Sequence, residues 1–468
     1  MLKLRRVLKI TLSLIILFVI GYFIYTFYQK RAIVKGVVHM EAESVLKIGI
    51  HDIKRTLLVD LISSPGYYWN NVKISQSKKD KDSVETDGKG IDLEPYSMVF
   101  YTMKNQQNTY FSTLKIDDSE AFEIYILDYL KKKNSSIENA QYKYAIDKKS
   151  KLVFAWTSNK LAIALSLDPS FEKCKPVFDD VLLNDKLIYD TNNSYLKRLI
   201  SSDSHITYLK EDNEMTINFL DGKAIISGLW HTSTPNKFKS QIQYTAIPDA
   251  SLLFYLDANF QNEENREWVS TFLDGISFFE KNNLNSVSLT DQMNGVISLS
   301  IKDATMQSDT IITYEYDDNF EKVATKSLQE KRAPVVVLSV GAHRGLNSYL
   351  IEQGALENNI LKAIPYYTFY AQEDSLNSVF STVKHNQTLE SKTGSYFFNL
   401  DVDFENLQKD LEIPKGEKVS TLLESLRISA RQESKDTFIL KGKLLGKTPH
   451  INIISQLFFG LQEQDSIR

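Results

Sequence analysis

The sequence predicts an α+β protein: an N-terminal transmembrane helix followed by two or three repeated units of antiparallel sheet with helices packed on one face. Three observations predict it. An uncharged run from Ile10 to Gln29 is flanked by basic residues. After it, short segments that alternate apolar and polar residues are interspersed with stretches of helical period. These strands follow one another too closely for helical crossovers throughout, which favours antiparallel pairing. A chain of 468 residues allows two to four domains, and 43% hydrophobic residues with 18 Gly and 10 Pro excludes collagen-like and wholly disordered chains.

Residues 1–9 carry Lys3, Arg5, Arg6 and Lys9 and read as a basic cytoplasmic N-terminus. Residues 10–29 contain no acid, base or proline. A helix of that length spans about 30 Å, the thickness of a hydrocarbon core. Tyr22, Phe23, Tyr25, Phe27 and Tyr28 suit its outer interface. Bulky residues over 21–27 argue against a cleaved signal peptide, and no cysteine stands near to carry a lipid. The expectation is a single-pass signal anchor in a bacterial inner membrane, with the body in the periplasm; the alternative is an inverted topology with a cytoplasmic body.

The first unit is expected over 36–200. Val45 to Ile50 alternates as a strand, and Asp52 precedes a helix over Ile53 to Ser63 that stops at Ser64-Pro65-Gly66. Ile74 to Gly90 is a polar excursion. Ser97 to Met103 and Thr109 to Ile116 read as strands, and Ala121 to Lys133 as a helix with Phe122, Tyr125, Ile126, Tyr129 and Leu130 on one side. Tyr142 to Ile146, Leu152 to Trp156 and Leu161 to Leu167 then form three strands. The second unit, 201–332, repeats the order: a strand at Ser251 to Leu256, a helix over Glu263 to Glu280, strands at Val296 to Ile301 and Thr310 to Tyr316, and a helix opened by Asp317-Asp-Asn-Phe-Glu321. The third, 333–468, opens with the strand Pro334 to Val340 and a helix near Gly345 to Gln353. It continues with Tyr366 to Tyr370, a helix over Leu376 to Lys384, strands at Leu426 to Arg431 and Thr437 to Leu445, and a last helix over Pro449 to Leu461.

Pro248-Asp-Ala-Ser-Leu-Leu-Phe-Tyr-Leu256 places an apolar strand after Pro-x-Asp-Ala, and Glu41 to Ile50 matches it without the proline. In this the chain resembles exported, membrane-anchored bacterial proteins of Bacteroidetes type with repeated α+β units. The resemblance implies location and architecture; it supplies no activity and no catalytic residue.

Chemistry is sparse. Residues 1–35 hold seven Lys or Arg and no acid, so the remainder has 48 basic residues against 59 acidic ones, a net charge of -11. That acidic body excludes nucleic acid as a partner. The seven histidines stand at least ten residues apart, which leaves no local metal signature, and no cofactor motif occurs. Asn134, Asn192 and Asn386 open glycosylation sequons, which are too common by chance to place the host. The lone cysteine, Cys174, reads as inert. The acid pairs Asp117-Asp118, Asp179-Asp180 and Asp317-Asp318 are explained most simply as helix caps.

Three weak site candidates stand out. His343-Arg344 follows the most apolar strand, Asp401 and Asp403 share one strand face, and Tyr67-Tyr68-Trp69 forms an aromatic cluster in an expected loop. The reading that follows is a non-enzymatic binding or scaffold protein of the bacterial envelope. Its partners are the membrane, through residues 10–29, and an envelope protein or a lipid. The alternatives are handling of lipid or another apolar ligand between membranes, and an envelope hydrolase acting through His343 or the Asp401 to Glu405 segment.

Overall fold

The computed structural model describes residues 28–76, 89–91, 96–231, 238, 241–316, 322–342, 345–362, 364, 366–373, 377–384, 389–412 and 416–463. The chain divides into two compact units, residues 1–219 and 220–468. The first runs β1 (Ala42–Ile48), α1 (Ile50–Ser63), α2 (Pro65–Gln76), β2 (Met98–Met103), β3 (Gln106–Lys115), α3 (Ser119–Lys132), β4 (Ile137–Asn139), β5 (Lys143–Asp147), β6 (Leu152–Trp156), β7 (Lys160–Ser166), α4 (Phe171–Leu182), α5 (Ser194–Ser201), β8 (Ile206–Lys210) and β9 (Asn213–Leu220). These strands form an antiparallel sheet in the order β4-β5-β6-β7-β3-β2-β1-β8-β9.

Helices cover both faces of that sheet. Phe111, Ala164 and Val153 are cross-strand neighbours, and they share a core with Phe171, Cys174, Val177 and Phe178 of α4. Leu114 and Leu161 stand at odd offsets from them on the same strands and share a core with Phe122, Ile126 and Leu130 of α3. Because side chains alternate along a strand, α4 and α3 lie on opposite faces. The start of α3 is fixed locally: Asp118 Oδ1 accepts the N–H groups of Glu120 (3.0 Å) and Ala121 (3.1 Å). Its buried residues recur at four-residue spacing, and Lys131 and Lys132 answer the dipole at its end.

The second unit runs β10 (Lys223–His231), β11 (Ile242–Ala246), β12 (Leu252–Asp257), α6 (Glu263–Asp274), α7 (Ser277–Lys281), α8 (Ser286–Asp291), β13 (Met293–Tyr316), β14 (Lys322–Ala342), α9 (Leu346–Glu352), β15 (Leu356–Glu357), β16 (Ile360–Leu361), β17 (Tyr370–Glu373), β18 (Asn377–Ser381), β19 (Glu390–Gly394), β20 (Phe398–Asp403), α10 (Phe404–Leu411), α11 (Glu417–Leu422), β21 (Leu423–Gln432), β22 (Thr437–Gly446) and α12 (Ile453–Glu463). Its main sheet is antiparallel in the order β10-β22-β21-β20-β12-β13-β14-β18-β17-β16-β15. A separate ribbon, β11 with β19, covers one face. Ile242, Tyr244 and Ala246 of the ribbon pack with Tyr255 and Val296, and Ser298 Oγ donates to Thr245 O at 2.7 Å. On the other face, helices α6, α8 and α9 cover one end through Val269, Leu289, Leu346 and Leu350, which pack with Val340 and Phe380.

These observations correct the expected fold class. In place of repeated small units with helices on one face, each unit is built on one extended antiparallel sheet, and the first carries helices on both faces. Of the expected transmembrane segment, residues 10–27 lie outside the described residues. Among the described residues no helix is long and apolar enough to cross a membrane, against the expected transmembrane helix. The long strand β13 absorbs both Val296 to Ile301 and Thr310 to Tyr316, and β14 runs through residue 333. The helix expected at 317–321 lies outside the described residues, and strand follows it directly. Leu376 to Lys384 holds the strand β18 instead of a helix, because Asn377–Ser381 is laddered to both β14 and β17. Asp179 and Asp180 lie in the last turn of α4, where Asp179 accepts from Tyr142 Oη at 2.8 Å; they do not cap a start.

Candidate functional site

His343 and Arg344 lie outside the described residues. Asp401 faces Arg427 across β20 and β21 and accepts a hydrogen bond from its Nε at 2.9 Å. Asp403 closes β20, and its Oδ1 accepts the Asn406 N–H at 3.0 Å, which caps α10. Glu405 is paired with Lys447 and Lys409, which hold its carboxyl down to about 2. Each acid of this segment is therefore bound to a structural partner, and together they form no acid-base pair. Among the described residues no group of three or more His, Cys, Asp or Glu is placed to hold a metal ion.

Tyr67, Tyr68 and Trp69 lie in α2, where a loop was expected. Pro65 opens that helix because the first helical position needs no N–H. Tyr68 is buried and donates its hydroxyl to the Asp60 carboxylate, with Tyr67 edge-on at 5.6 Å. Trp69 is 67% exposed. The preceding α1 buries Asp52 and Asp60 while leaving Leu58, Val59, Leu61 and Ile62 exposed. Of the three aromatics, Trp69 is thus the one open to solvent.

A polar cluster behind α1 also resembles a site until its bonds are followed. His205 Nδ1 accepts the Phe219 N–H at 2.8 Å, so Nε2 holds the ring proton and donates to Thr56 Oγ1 at 2.9 Å. Thr56 passes its own hydroxyl proton to Asp52 O at 3.0 Å. Both ring nitrogens are committed, which leaves His205 no free nitrogen to act as a base. Burial lowers the His205 pKa, and lowers those of His39 and His51 as well. The unfolded chain then binds protons more readily than the folded one as pH falls. We expect stability of the first unit to be complete above the ordinary value of 6.5 and to decline as pH drops below it. Urea unfolding between pH 7.5 and 5 checks this; His205→Asn, which keeps an acceptor, flattens the slope.

The face that sequence reading missed belongs to the second unit. Cross-strand register aligns Leu338, Leu299, Phe254, Leu400, Ile428, Gly442 and Ile226 in one row over seven strands. At about 4.8 Å per strand the row is roughly 30 Å long. A parallel row runs Val340, Ile297, Leu256, Phe398, Ala430, Leu440 and Gly228. The face toward the β11–β19 ribbon is closed, with Tyr255, Val296, Val337 and Val379 packed beside Ser298, Ser300 and Ser339, whereas Phe254, Leu256, Leu299, Phe398 and Leu400 on the opposite face are only half-buried.

The open face ends in a cleft of about 490 Å³ lined by Trp230, Phe397, Phe398, Phe438 and Leu440. Its floor is low because Leu440 stands between Gly228 and Ala430, which contribute almost no side chain. Gly228 is required there: a Cβ would lie 2.4 Å from the Trp230 ring. Phe238 stacks on Phe397 at 4.3 Å and meets Phe438 edge-on at 5.4 Å, which braces the wall. Such a volume and lining fit an apolar ligand of moderate size.

No protein-family model matches the chain, and no curated protein matches it. A solved structure of TP0453, in its crystal form IV, is similar over 41% of this chain and 76% of its own length, at 6% identity and a TM-score of 0.24. A likeness that slight carries no argument about fold or function.

Proposed function

We propose that this protein is a non-enzymatic binding protein that holds an apolar chain, such as that of a lipid, along the open sheet face of its second unit. One observation carries the reading: the ribbon closes one face of the sheet, while the row of Phe and Leu on the other face stays half-open. Burial of apolar surface is the dominant favourable term in folding, so an apolar row left in contact with water is a standing cost to the free protein. A ligand that covers the row recovers that term, and the Trp230–Phe438 cleft supplies a seat for one end. Native mass spectrometry of the protein as isolated, followed by titration with a fluorescent fatty acid, tests this. We expect a copurifying apolar mass, saturable binding to the stripped protein, and a loss of about tenfold or more in Trp230→Ala, in the range of truncating an aromatic anchor. Binding that is absent, or untouched by Trp230→Ala, overturns the reading.

A further inference from the structure

The first unit contains an apolar space that its core does not fill. A cavity of about 220 Å³ lies between α3 and the sheet, with Leu114, Leu161 and Ile163 on the strand side and Phe122, Tyr125 and Tyr129 on the helix side. The inner stripe of α3 is fully seated, since Phe122, Ile126 and Leu130 are 1%, 3% and 1% exposed. The gap therefore opens along the Tyr125–Tyr129 edge, where the helix stands off the strands. Well-packed interiors leave few voids larger than a water molecule, and an apolar one stays dry unless an apolar guest enters.

The rim of this cavity is cationic. Lys89 Nζ lies 5.3 Å from the centroid of the Tyr125 ring, and Lys133 Nζ lies 5.7 Å from that of Tyr129. The two lysines differ in what answers them. Lys133 is near Asp147, which accepts the Tyr129 hydroxyl at 3.1 Å and whose pKa the Lys133 charge helps to lower. Lys89 makes no ion pair among the described residues. The Lys89 side chain is half-buried beside Gly90, whose positive φ of 70° and close approach to Asp118 O fix the chain at this rim.

We propose that this cavity is a ligand site of the first unit for a medium-chain monocarboxylate, with the alkyl chain between α3 and the sheet and the carboxylate against Lys89. The observation is independent of the second unit's open face: different residues, a gap beneath a helix in place of a sheet surface, and a lysine, which the lining of the cleft there lacks. Apolar contact supplies the affinity, and the ammonium, partly desolvated on the Tyr125 ring, selects an acid over a neutral alcohol.

The test is calorimetric titration of the full chain with octanoate and, separately, with octanol. In the Trp230→Ala background, which removes the second unit's cleft, we expect saturable octanoate binding that weakens tenfold or more in Lys89→Glu while octanol binding is unchanged, and that disappears in Ile163→Phe, which fills the space. The Trp230→Ala variant retains octanoate binding at this site, so failure here and failure at the second unit's cleft are distinguished. Should Ile163→Phe not fold, the Lys89→Glu comparison decides alone. Absence of octanoate binding, or binding indifferent to Lys89→Glu, overturns the proposal, as does binding abolished by Trp230→Ala.

Discussion

Phe178→Ala lowers the stability of the first unit by about 3–5 kcal/mol, the cost of removing a large aromatic from a closed core. Phe178 is 0% exposed on α4, with its ring centroid 6.1 Å from Phe111 on the sheet and 6.4 Å from Phe171 two turns earlier on the same helix face. It is therefore the side chain through which α4 is fastened to the strands, and its neighbours cannot collapse inward without moving the helix. Against a typical total of about 5–15 kcal/mol, the loss is a large fraction. Denaturant unfolding measures it, and the chain carries its own second probe. Cys174, four residues earlier on the same helix, is buried with its thiol pushed up to about 11, so it resists alkylation while α4 stays seated. Phe178→Ala should unmask it. The contrast is Ile62→Ala on α1, where the side chain is 72% exposed and the expected change stays within about 0.5 kcal/mol. Equal losses at the two positions would mean that α4 is not held as described.

What could be read from the sequence was local. The α3 stripe of Phe122, Ile126 and Leu130 with its Asp118 cap is visible because the cap and the four-residue period are both written into adjacent residues. The strands Leu152–Trp156 and Lys160–Ser166 were equally legible, as a hairpin of apolar runs around Thr157-Ser-Asn-Lys160. Elsewhere a local sign pointed the wrong way. Ser64-Pro65-Gly66 reads as a stop, but the proline starts a second helix, and this moved Tyr67, Tyr68 and Trp69 from loop to helix. No element is expected from the sequence over Phe171–Leu182, yet α4 forms there around an internal proline, Pro176, which tertiary packing tolerates. At Asn377–Ser381 the ladders to β14 and β17 override a helical pattern. The candidate site was the least legible of all. Each strand of the second unit alternates apolar and small or polar residues in the ordinary way. Which set faces the β11–β19 ribbon, and which is left half-open, depends on partners more than a hundred residues away, such as β11 with β19.

The difference between the two faces of this sheet makes a contrasting pair of expected results. Leu440→Lys should leave the second unit folded but reduce binding of an apolar chain by a hundredfold or more, about 2.7 kcal/mol. Leu440 is half-buried between Gly228 and Ala430, so a lysine stem can lie along the small neighbours and carry its ammonium out to water. The charge then sits where the chain of the ligand must lie, and covering it without a partner is opposed by its desolvation. Ser298→Lys, on the other face, should do the reverse. Ser298 is 1% exposed, and its hydroxyl donates to Thr245 O beneath the ribbon. A lysine there has no path to solvent, and an unpaired buried charge costs several kcal/mol. In an ordinary sheet the leucine would be the intolerant position and the serine the tolerant one. Denaturant unfolding and fatty-acid titration on both variants therefore test the difference between the faces directly: if Leu440→Lys unfolds the unit as Ser298→Lys does, the Phe- and Leu-bearing face is closed core and no ligand lies along it. If both variants fold and bind as the parent does, the serine face is not enclosed, and the physical basis for the site is gone.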